Sequence, residues 1–271
     1  EISECLVGSE MCIRDSVISD LKEALSEKAL ANVKDFVDQG GNMVILGEYE
    51  RSENMNSLGA LFGVHFSDGV LARPNKLGSP VVLCASYTDE AVEKHSAFNR
   101  MQAWGYGVSV PTAVALDYSQ VKDFEVYPVL VTGDSAWIEH ETKDMVDGEF
   151  VCNPAAGEKE GNYAVLINLS RKIGDKEQRI IISGDSDFIT NEEFGLTRPG
   201  MEVNNFEVIT GSFRWLSYDA YPIYTDRIEA IDNGIDLSGG WRVWIKLFFM
   251  ILFPAFLVGT GVTIIYRRQR K

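Results

Sequence analysis

The side chains best suited to chemistry are concentrated in residues 184–188, which read Gly-Asp-Ser-Asp-Phe. This run follows an apolar segment typical of a strand, and ligands of open α/β sheets bind where the strands end. Asp185, Ser186 and Asp187, with Asn191 shortly after them, therefore form a candidate ligand- or partner-binding loop.

Two interpretations of the Asp185 and Asp187 pair stay open. Two acids one residue apart could hold Mg²⁺ or Ca²⁺, which prefer carboxylate oxygens. A polar turn, in which aspartates accept hydrogen bonds from backbone N–H groups, has the same composition and is more common. No third acid stands at EF-hand spacing. We therefore predict no metal and no cofactor.

Cys84 is the candidate nucleophile of an alternative interpretation, a membrane-tethered hydrolase or amidotransferase-like enzyme that pairs it with His95 or His140. A class I amidotransferase cysteine follows a strand on a tight, glycine-containing elbow. Cys84 has no flanking glycine, and His140 lacks the His-x-Glu pattern. The histidines, His65 included, lack zinc-ligand spacing, and no Walker A motif is present. We therefore predict a protein that is not an enzyme.

Other cysteine and aromatic residues leave further alternatives. Cys84 and Cys152 could pair outside the cytoplasm, although buried free thiols are more common. Trp104 and Trp137 could line a groove for a peptide or glycan, which keeps a sugar- or peptide-binding surface module open. Core or loop-anchoring aromatic side chains would explain the same two tryptophans.

Apolar periodicity predicts the elements that must position these side chains. A helix beginning at Ser26 ends at Gly40, and a buried strand follows at residues 43–46. A second short helix spans residues 55–62. Residues 104–139 contain alternating runs separated by Gly, Pro and Asp, which indicate extended segments.

The second half of the chain predicts a hairpin followed by helices. Residues 163–169 and 179–183 flank a turn-prone Gly-Asp-Lys and form an antiparallel pair. Thr190 has the capping-box spacing of a helix start, and Asn205 opens a further amphipathic helix. Together with the first half, this order predicts an α/β sandwich with an added antiparallel hairpin.

One apolar stretch near the end of the chain, residues 247–266, carries no charge. About 20 such residues cross the hydrocarbon core of a bilayer. Trp241 and Trp244 suit the membrane–water interface, and the basic residues 267–271 suit the cytoplasmic face. We predict a transmembrane helix over residues 243–266, with the main domain on the extracytoplasmic side.

Charge is unevenly distributed along the chain. The formal net charge is −15, although residues 242–271 carry six basic side chains and no acid. The domain before them is therefore more acidic than the whole chain. Such a domain repels nucleic acid phosphates and anionic headgroups, which excludes nucleic acid as a partner.

The first residues have an unusual composition. The run from Glu4 to Asp15 resembles a translated sequencing adapter, and residue 1 is not methionine. We expect residues 1–16 to be non-native and the native chain to extend further upstream.

Four segments and the terminal helix carry a resemblance to a known family. They are residues 25–46, 58–64, 179–191 and 204–216. With the terminal apolar helix and its arginine-rich tail, they resemble the GldG family, the gliding-motility-type auxiliary components of ABC transporters. The chain looks most like the C-terminal part of Bacteroidetes-type proteins in which an ABC-2 permease is joined to such a domain.

The resemblance implies a flavodoxin-like or class I amidotransferase-like sandwich without a catalytic triad. It also implies ABC permease and ATPase subunits as partners, and it supplies no catalytic residues. We therefore expect a non-enzymatic periplasmic domain of an ABC transport system in a bacterial inner (plasma) membrane. The predicted segments are a non-native start, an extracytoplasmic domain, a linker, a transmembrane helix and a cytoplasmic tail, at residues 1–16, 17–220, 221–242, 243–266 and 267–271.

Overall fold

A computed structural model describes residues 15–74, 78–140, 150–196, 198, 200–220 and 239–270. The chain forms two compact units, Glu1–Ile223 and Tyr224–Lys271. Most of the adapter-like start and most of the predicted linker lie outside the described residues.

The first unit alternates helices and strands before a strand-rich middle, as the sequence predicts. Its strands, β1 to β11, are Asp15–Ser19, Asn42–Leu46, His65–Phe66, Val70–Ala72, Val82–Tyr87, Val108–Pro111, Leu116–Asp117, Glu125–Val131, Trp137–Glu139, Ala164–Ile173 and Lys176–Ser183. Its helices, α1 to α6, are Glu27–Asp38, Ser52–Gly59, Asp89–Lys94, Ser96–Ala103, Asn191–Gly195 and Asn205–Leu216. Short 3-10 turns occupy Pro154–Ala156 and Asp187–Ile189.

Seven strands form one mixed sheet in the order β1-β2-β11-β10-β8-β5-β6. The β1, β2 and β11 strands run parallel, whereas the other neighbours pair antiparallel. Two small sheets pair β3 with β7 and β4 with β9. The mixed α/β class is thus confirmed. A flavodoxin-like sheet is mostly parallel, so this topology does not confirm the finer fold prediction.

The strand β2 is buried along its whole length because helices cover both faces of the sheet. Met43 and Ile45 belong to the apolar cluster that contains residues of α1 and α2. Val44 and Leu46 point to the opposite face and join the cluster that contains residues of α3, α4 and α6. This alternation follows from the two-residue period of a strand.

The first helix and the strand after it follow the predicted boundaries. The Ser26 side chain accepts a hydrogen bond from the Ala29 N–H at 3.2 Å, which caps α1. Gly40 lies at φ +86°, where glycine meets no steric penalty, and the chain then enters β2. The predicted helix–glycine–strand unit is confirmed.

The predicted hairpin is also confirmed, and it continues further than expected. The β10 and β11 strands pair from Leu166 opposite Ser183 to Ile173 opposite Lys176. Gly174 turns the chain at φ +61°. The hairpin lies inside the large sheet, because β10 also pairs with β8 and β11 also pairs with β2.

The strand β1 was not among the predicted elements. Its first residues, Asp15 and Ser16, fall in the segment set aside as adapter-like. They stand opposite Asn42 and Met43 of β2 in parallel register. The strand lies at the edge of the sheet, next to β2.

The described residues of the second unit, 239–270, form one long helix. Its segments are α7 (Gly239–Leu247), a π turn (Phe248–Leu252) and α8 (Phe253–Gln269). The stretch Val243–Gln269 is 27 residues long and apolar enough to span a membrane. At 1.5 Å per residue it measures about 40 Å, more than the roughly 30 Å hydrocarbon core.

The backbone of the terminal helix adapts to a proline. Pro254 has no N–H for the carbonyl four residues earlier, and the π turn ends immediately before α8. The hydroxyls of Thr260 and Thr263 donate to the carbonyls of Leu257 and Gly259, at 2.8 and 2.7 Å. These hydrogen bonds satisfy the threonine hydroxyls without water, as an apolar surrounding requires.

The first prediction concerns the close packing at Gly184, directly after β11. A Cβ atom at this position would lie 2.0 Å from the carbonyl oxygen of Val114. Because backbone must move to accept it, we expect Gly184→Ala to lower the unfolding free energy by about 2–4 kcal/mol. Urea unfolding of the full chain in detergent, followed by tryptophan fluorescence, measures the loss.

Gly195→Ala is the matched control, since no atom lies within 4 Å of a Cβ built there. Its unfolding free energy should stay within about 0.5 kcal/mol of the parent value. Equal stability of the two alanine variants would contradict the assignment of close packing at Gly184.

Candidate functional site

The candidate site lies where two parallel strands end side by side. Residues 47–50 follow β2 and residues 184–188 follow β11, and these strands pair from Ile180 opposite Met43 to Ser183 opposite Leu46. The Gly47 N–H continues the pairing by donating to the Ser183 carbonyl at 2.7 Å. The two loops therefore leave the sheet at the same end, where β2 and β11 finish. This is the position predicted for residues 184–188.

A third segment, after β6, completes the site. The Val114 N–H donates to the Gly184 carbonyl at 2.9 Å, which fixes the segment beside the loop after β11. Thr112 adopts φ +52°, a conformation that costs a β-branched residue of the order of 1–3 kcal/mol. In this conformation its hydroxyl donates to Glu48 Oε1 at 3.1 Å.

Three acids meet at this edge and form the acidic cluster: Glu48, Asp185 and Asp187. Each offers a carboxylate oxygen within 4.8 Å of the others. The Ser186 hydroxyl donates to Glu48 Oε2 at 2.8 Å, so Glu48 is held by hydroxyls on both of its oxygens, the other being that of Thr112. Carboxylates with this spacing are an oxygen ligand set suited to a hard cation.

Burial and mutual repulsion govern the electrostatics of the acidic cluster. The pKa of Asp185 is raised well above its ordinary value, mainly because the side chain is fully buried, with smaller contributions from Glu48 and Asp187. Burial also raises the pKa of Glu48, against the opposing effect of the Ser186 hydrogen bond. Asp187 is exposed at its outer side, and its pKa is raised by partial desolvation and then by neighbouring acids, Glu193 first.

The structure brings together Asp185, Ser186 and Asp187 of the predicted loop but does not place Asn191 among them. Asn191 is the first residue of α5, and its side chain is exposed. Sequence reasoning missed Glu48, although the signal was present as a Gly-Glu pair directly after a buried strand. Thr112 was likewise not predicted, because its role depends on a backbone conformation that the residue type alone does not indicate.

Among the described residues, Cys84, His95 and His140 of the enzymatic interpretation form no hydrogen bond with one another. Burial raises the pKa of the Cys84 thiol, which opposes formation of a nucleophilic thiolate. In the part of the chain that the structure describes, no hydrogen bond joins this thiol to His95 or His140. The His140 backbone N–H donates to Glu158 Oε1 at 3.3 Å. Cys84 and Cys152 are both free.

His95 belongs instead to a buried polar network. Its Nε2 lies 2.7 Å from the Tyr127 hydroxyl, and the Asn168 side-chain amide donates to the same hydroxyl at 3.1 Å. Burial, with the nearby charges of Arg179 and Lys94, lowers the pKa of His95 to about 4. The ring is therefore neutral at physiological pH.

A polar pocket of about 250 Å³ opens beside His95. Basic side chains line it in an otherwise acidic domain, with Trp215 providing an aromatic wall. The charged residues on its surface are Lys94, Arg179, Arg214 and Asp219.

The two tryptophans of the predicted groove lie in different environments. Trp104 is 63% exposed, whereas Trp137 is 1% exposed and lies in the core. The Trp137 indole N–H donates to Glu139 Oε2 at 3.1 Å, so its polar atom is satisfied internally. Trp137 is therefore an anchoring residue of the core.

Comparison with known proteins defines the fold and no more. No protein-family model matches the chain, and no curated protein has a matching sequence. A solved structure described as "mmIFT52 N-terminal domain" is similar, with a TM-score of 0.55 and 18% sequence identity. The similarity covers 80% of this chain and 81% of that chain. At this identity it shows a shared mixed α/β fold and does not carry function.

The second prediction uses the lowered pKa of His95. The unfolded chain binds a proton at this histidine near pH 6.5, whereas the folded chain binds it only near pH 4. The contribution of neutral His95 to the unfolding free energy is therefore fully present above pH 6.5 and is lost as the pH falls towards 4. We expect a loss of up to about 3 kcal/mol, measured by urea unfolding across this range.

His95→Gln is the comparison variant, because glutamine does not titrate and can still hydrogen bond to Tyr127. Titration of other groups is common to both proteins and cancels in the difference. The same pH dependence in parent and variant would show that His95 does not cause the loss.

Proposed function

We propose that the chain is a non-enzymatic, extracytoplasmic auxiliary domain of an ABC transport system of the GldG, gliding-motility type. In this proposal the terminal helix anchors the domain in a bacterial inner (plasma) membrane beside an ABC-2 permease. A separate ATPase subunit hydrolyses ATP, and the domain binds a partner or a transported substrate.

One observation carries the proposal: an acidic folded unit is followed by an apolar helix that ends in basic residues. The helix Val243–Gln269 has no buried side chain, so its apolar surface is available to lipid or to neighbouring helices. Arg267 and Arg268 lie in its last turn. Basic residues favour the cytoplasmic side, which would leave the acidic domain on the other side.

The surroundings of the candidate nucleophile support a function without catalysis. The Cys84 thiol has a raised pKa, and His95 is engaged with Tyr127 and Asn168. A Cys–His pair requires the two side chains within hydrogen-bond reach and a thiol that ionises readily. Neither condition is favoured by the contacts of Cys84.

The finer fold prediction belongs to the same proposal. The parallel strands β1, β2 and β11, with α1 and α2 on one face, would correspond to the flavodoxin-like or amidotransferase-like half of the domain. The predicted added hairpin is the antiparallel pair of β10 and β11, whose second strand lies next to β2.

The polar pocket beside His95 favours a second candidate function, a sugar- or peptide-binding surface module that works without a transporter. Its basic lining and Trp215 suit a ligand with both negative charge and an apolar face. Calorimetric titration with acidic oligosaccharides and acidic peptides would test it. Genes for an ATPase beside the gene for this chain would favour the transporter instead.

The third prediction concerns the partners. We expect affinity purification of the full chain from its native membranes, in mild detergent, to recover an ABC permease and its ATPase. A matched control replaces residues 239–270 with an unrelated single membrane helix of the same length. That chain should keep its membrane location and recover less of the permease, because the helix contacts would be lost.

Purification of the parent chain without either transporter subunit would count decisively against the proposal. Equal recovery by parent and control would assign the partner contact to the acidic domain rather than to the helix.

The fourth prediction concerns orientation. Alkaline phosphatase inserted between residues 220 and 221, with the terminal helix and tail retained, should be active, because this enzyme folds outside the cytoplasm. Green fluorescent protein fused after Lys271 should fluoresce. Serine at all four basic positions of the tail should weaken this asymmetry. The opposite pattern of the two reporters in the parent chain would reverse the proposed orientation.

A further inference from the structure

The acidic cluster of Glu48, Asp185 and Asp187 brings three acids together around the fully buried side chain of Asp185. Its carboxylate oxygens lie within 4.8 Å of one another. Like charges at this separation repel, and a low local dielectric strengthens the repulsion. A positive species beside these oxygens would remove both penalties.

Asp185 is the member of the cluster that most needs a partner. Its side chain is 0% exposed. Its Oδ1 accepts a hydrogen bond from the Asp187 N–H at 2.8 Å, but its buried Oδ2 has no hydrogen-bond partner. An unpaired buried carboxylate oxygen is costly, because it has lost its water without replacement. This oxygen points to a ligand beyond the protein's own hydrogen bonds.

Nearby arginines are engaged with other acids. Asp20 and Glu193 contribute to the field at Asp187. Arg51 pairs with Asp20 at 3.3 Å, and Arg198 pairs with Glu193. Among the described residues, no lysine or arginine forms an ion pair with a member of the acidic cluster.

We propose that the acidic cluster binds one hard divalent cation of the Ca²⁺ and Mg²⁺ class through the carboxylates of Glu48, Asp185 and Asp187. The ligand set contains only oxygen, which favours these ions over zinc or copper. A Ca²⁺ ion at 2.3–2.6 Å from its ligands spans oxygens up to about 5 Å apart, and Mg²⁺ spans about 4 Å. Both fit the spacing of the cluster with small side-chain adjustments.

The surrounding hydroxyls fit an outer layer of such a site. Ser186 and Thr112 each donate to one oxygen of Glu48 and thereby orient its carboxylate. Outer partners of this kind position metal ligands and tune their affinity. Asp187 is exposed, so water can complete the coordination on the solvent side.

A cation here would join loops that follow different strands. Glu48 follows β2, whereas Asp185 and Asp187 follow β11. Binding would therefore stabilise the folded domain by linkage, because the unfolded chain does not hold these acids together. The inference concerns the domain alone and does not depend on the proposed transport function.

The experiment uses the full chain in detergent, treated with a chelator and then dialysed free of it. CaCl₂ and MgCl₂ are titrated separately by calorimetry, and thermal unfolding is recorded with and without 10 mM of each salt. We expect saturable binding of one ion per chain, with a Kd of about 1 mM or lower for Ca²⁺. Ca²⁺ should raise Tm by about 3 °C or more.

Asp185→Asn and Glu48→Gln should each weaken binding at least about tenfold and abolish the rise in Tm. Asp134→Asn, which removes the same charge from an exposed position, should bind the cation as the parent does. If Asp185→Asn fails to fold, binding by Glu48→Gln provides the test, because Glu48 is only half-buried. Ca²⁺ and Mg²⁺ titrations of the parent identify which ion is preferred.

Two results would overturn the proposal. One is a parent chain that shows no saturable binding of either ion up to 10 mM. The other is undiminished binding by Asp185→Asn or Glu48→Gln, which would place the cation elsewhere. A parent without cation binding, together with a stabilised Asp185→Asn, would show that Asp185 holds a proton instead.

Discussion

Parallel pairing of β2 with β11 is the interaction on which the rest of the domain depends. These strands are distant in sequence, yet their pairing places both carboxyl ends at one end of the sheet. It also puts β2 inside the sheet, where the apolar clusters on both faces bury it along its whole length. The pairing continues past the strands through the Gly47 N–H and the Ser183 carbonyl. Gly184 then lets the segment after β6 approach, because any side chain there would meet the Val114 carbonyl. The candidate site is the direct product of these close backbone contacts.

The acidic cluster contains features that lower the stability of the folded domain. An acid buried without a partner for one oxygen lowers the stability of a fold, and a strained Thr112 adds to that cost. Folds retain such features where they serve binding, since the penalty falls when a ligand arrives. In the polar network of His95 the ring itself gains hydrogen bonds, although the buried Oδ1 atom of Asn168 has no hydrogen-bond partner. There the burial of a titratable group is balanced by hydrogen bonds to Tyr127 and Asn168, and the ring stays neutral.

The terminal helix differs from the domain before it in its surface and in how its polar groups are hydrogen bonded. Its exposed surface is apolar, its threonines satisfy their hydroxyls on their own backbone, and a π turn precedes Pro254. These are properties expected of a helix in lipid, where water cannot compensate unpaired polar groups. Together with the GldG-like segments they motivate the proposed place of the chain in a transport assembly. The fold shared with the "mmIFT52 N-terminal domain" structure agrees with the α/β class and is silent on that function.

Elements with local sequence signals could be predicted from the residues alone. Ser26 and Gly40 bound the first helix, Gly174 turns the hairpin, and an uncharged run of 20 residues marks the terminal helix. The acids at the end of β11 were also visible, because they follow a strand directly. The residue that faces these acids depends on how distant strands pair in the fold. Glu48 lies 137 residues before Asp185, and the register of two parallel strands, which no local pattern encodes, brings them together. The same reason explains why the mixed order of the sheet, and the place of β1 at its edge, could not be derived from the chain alone.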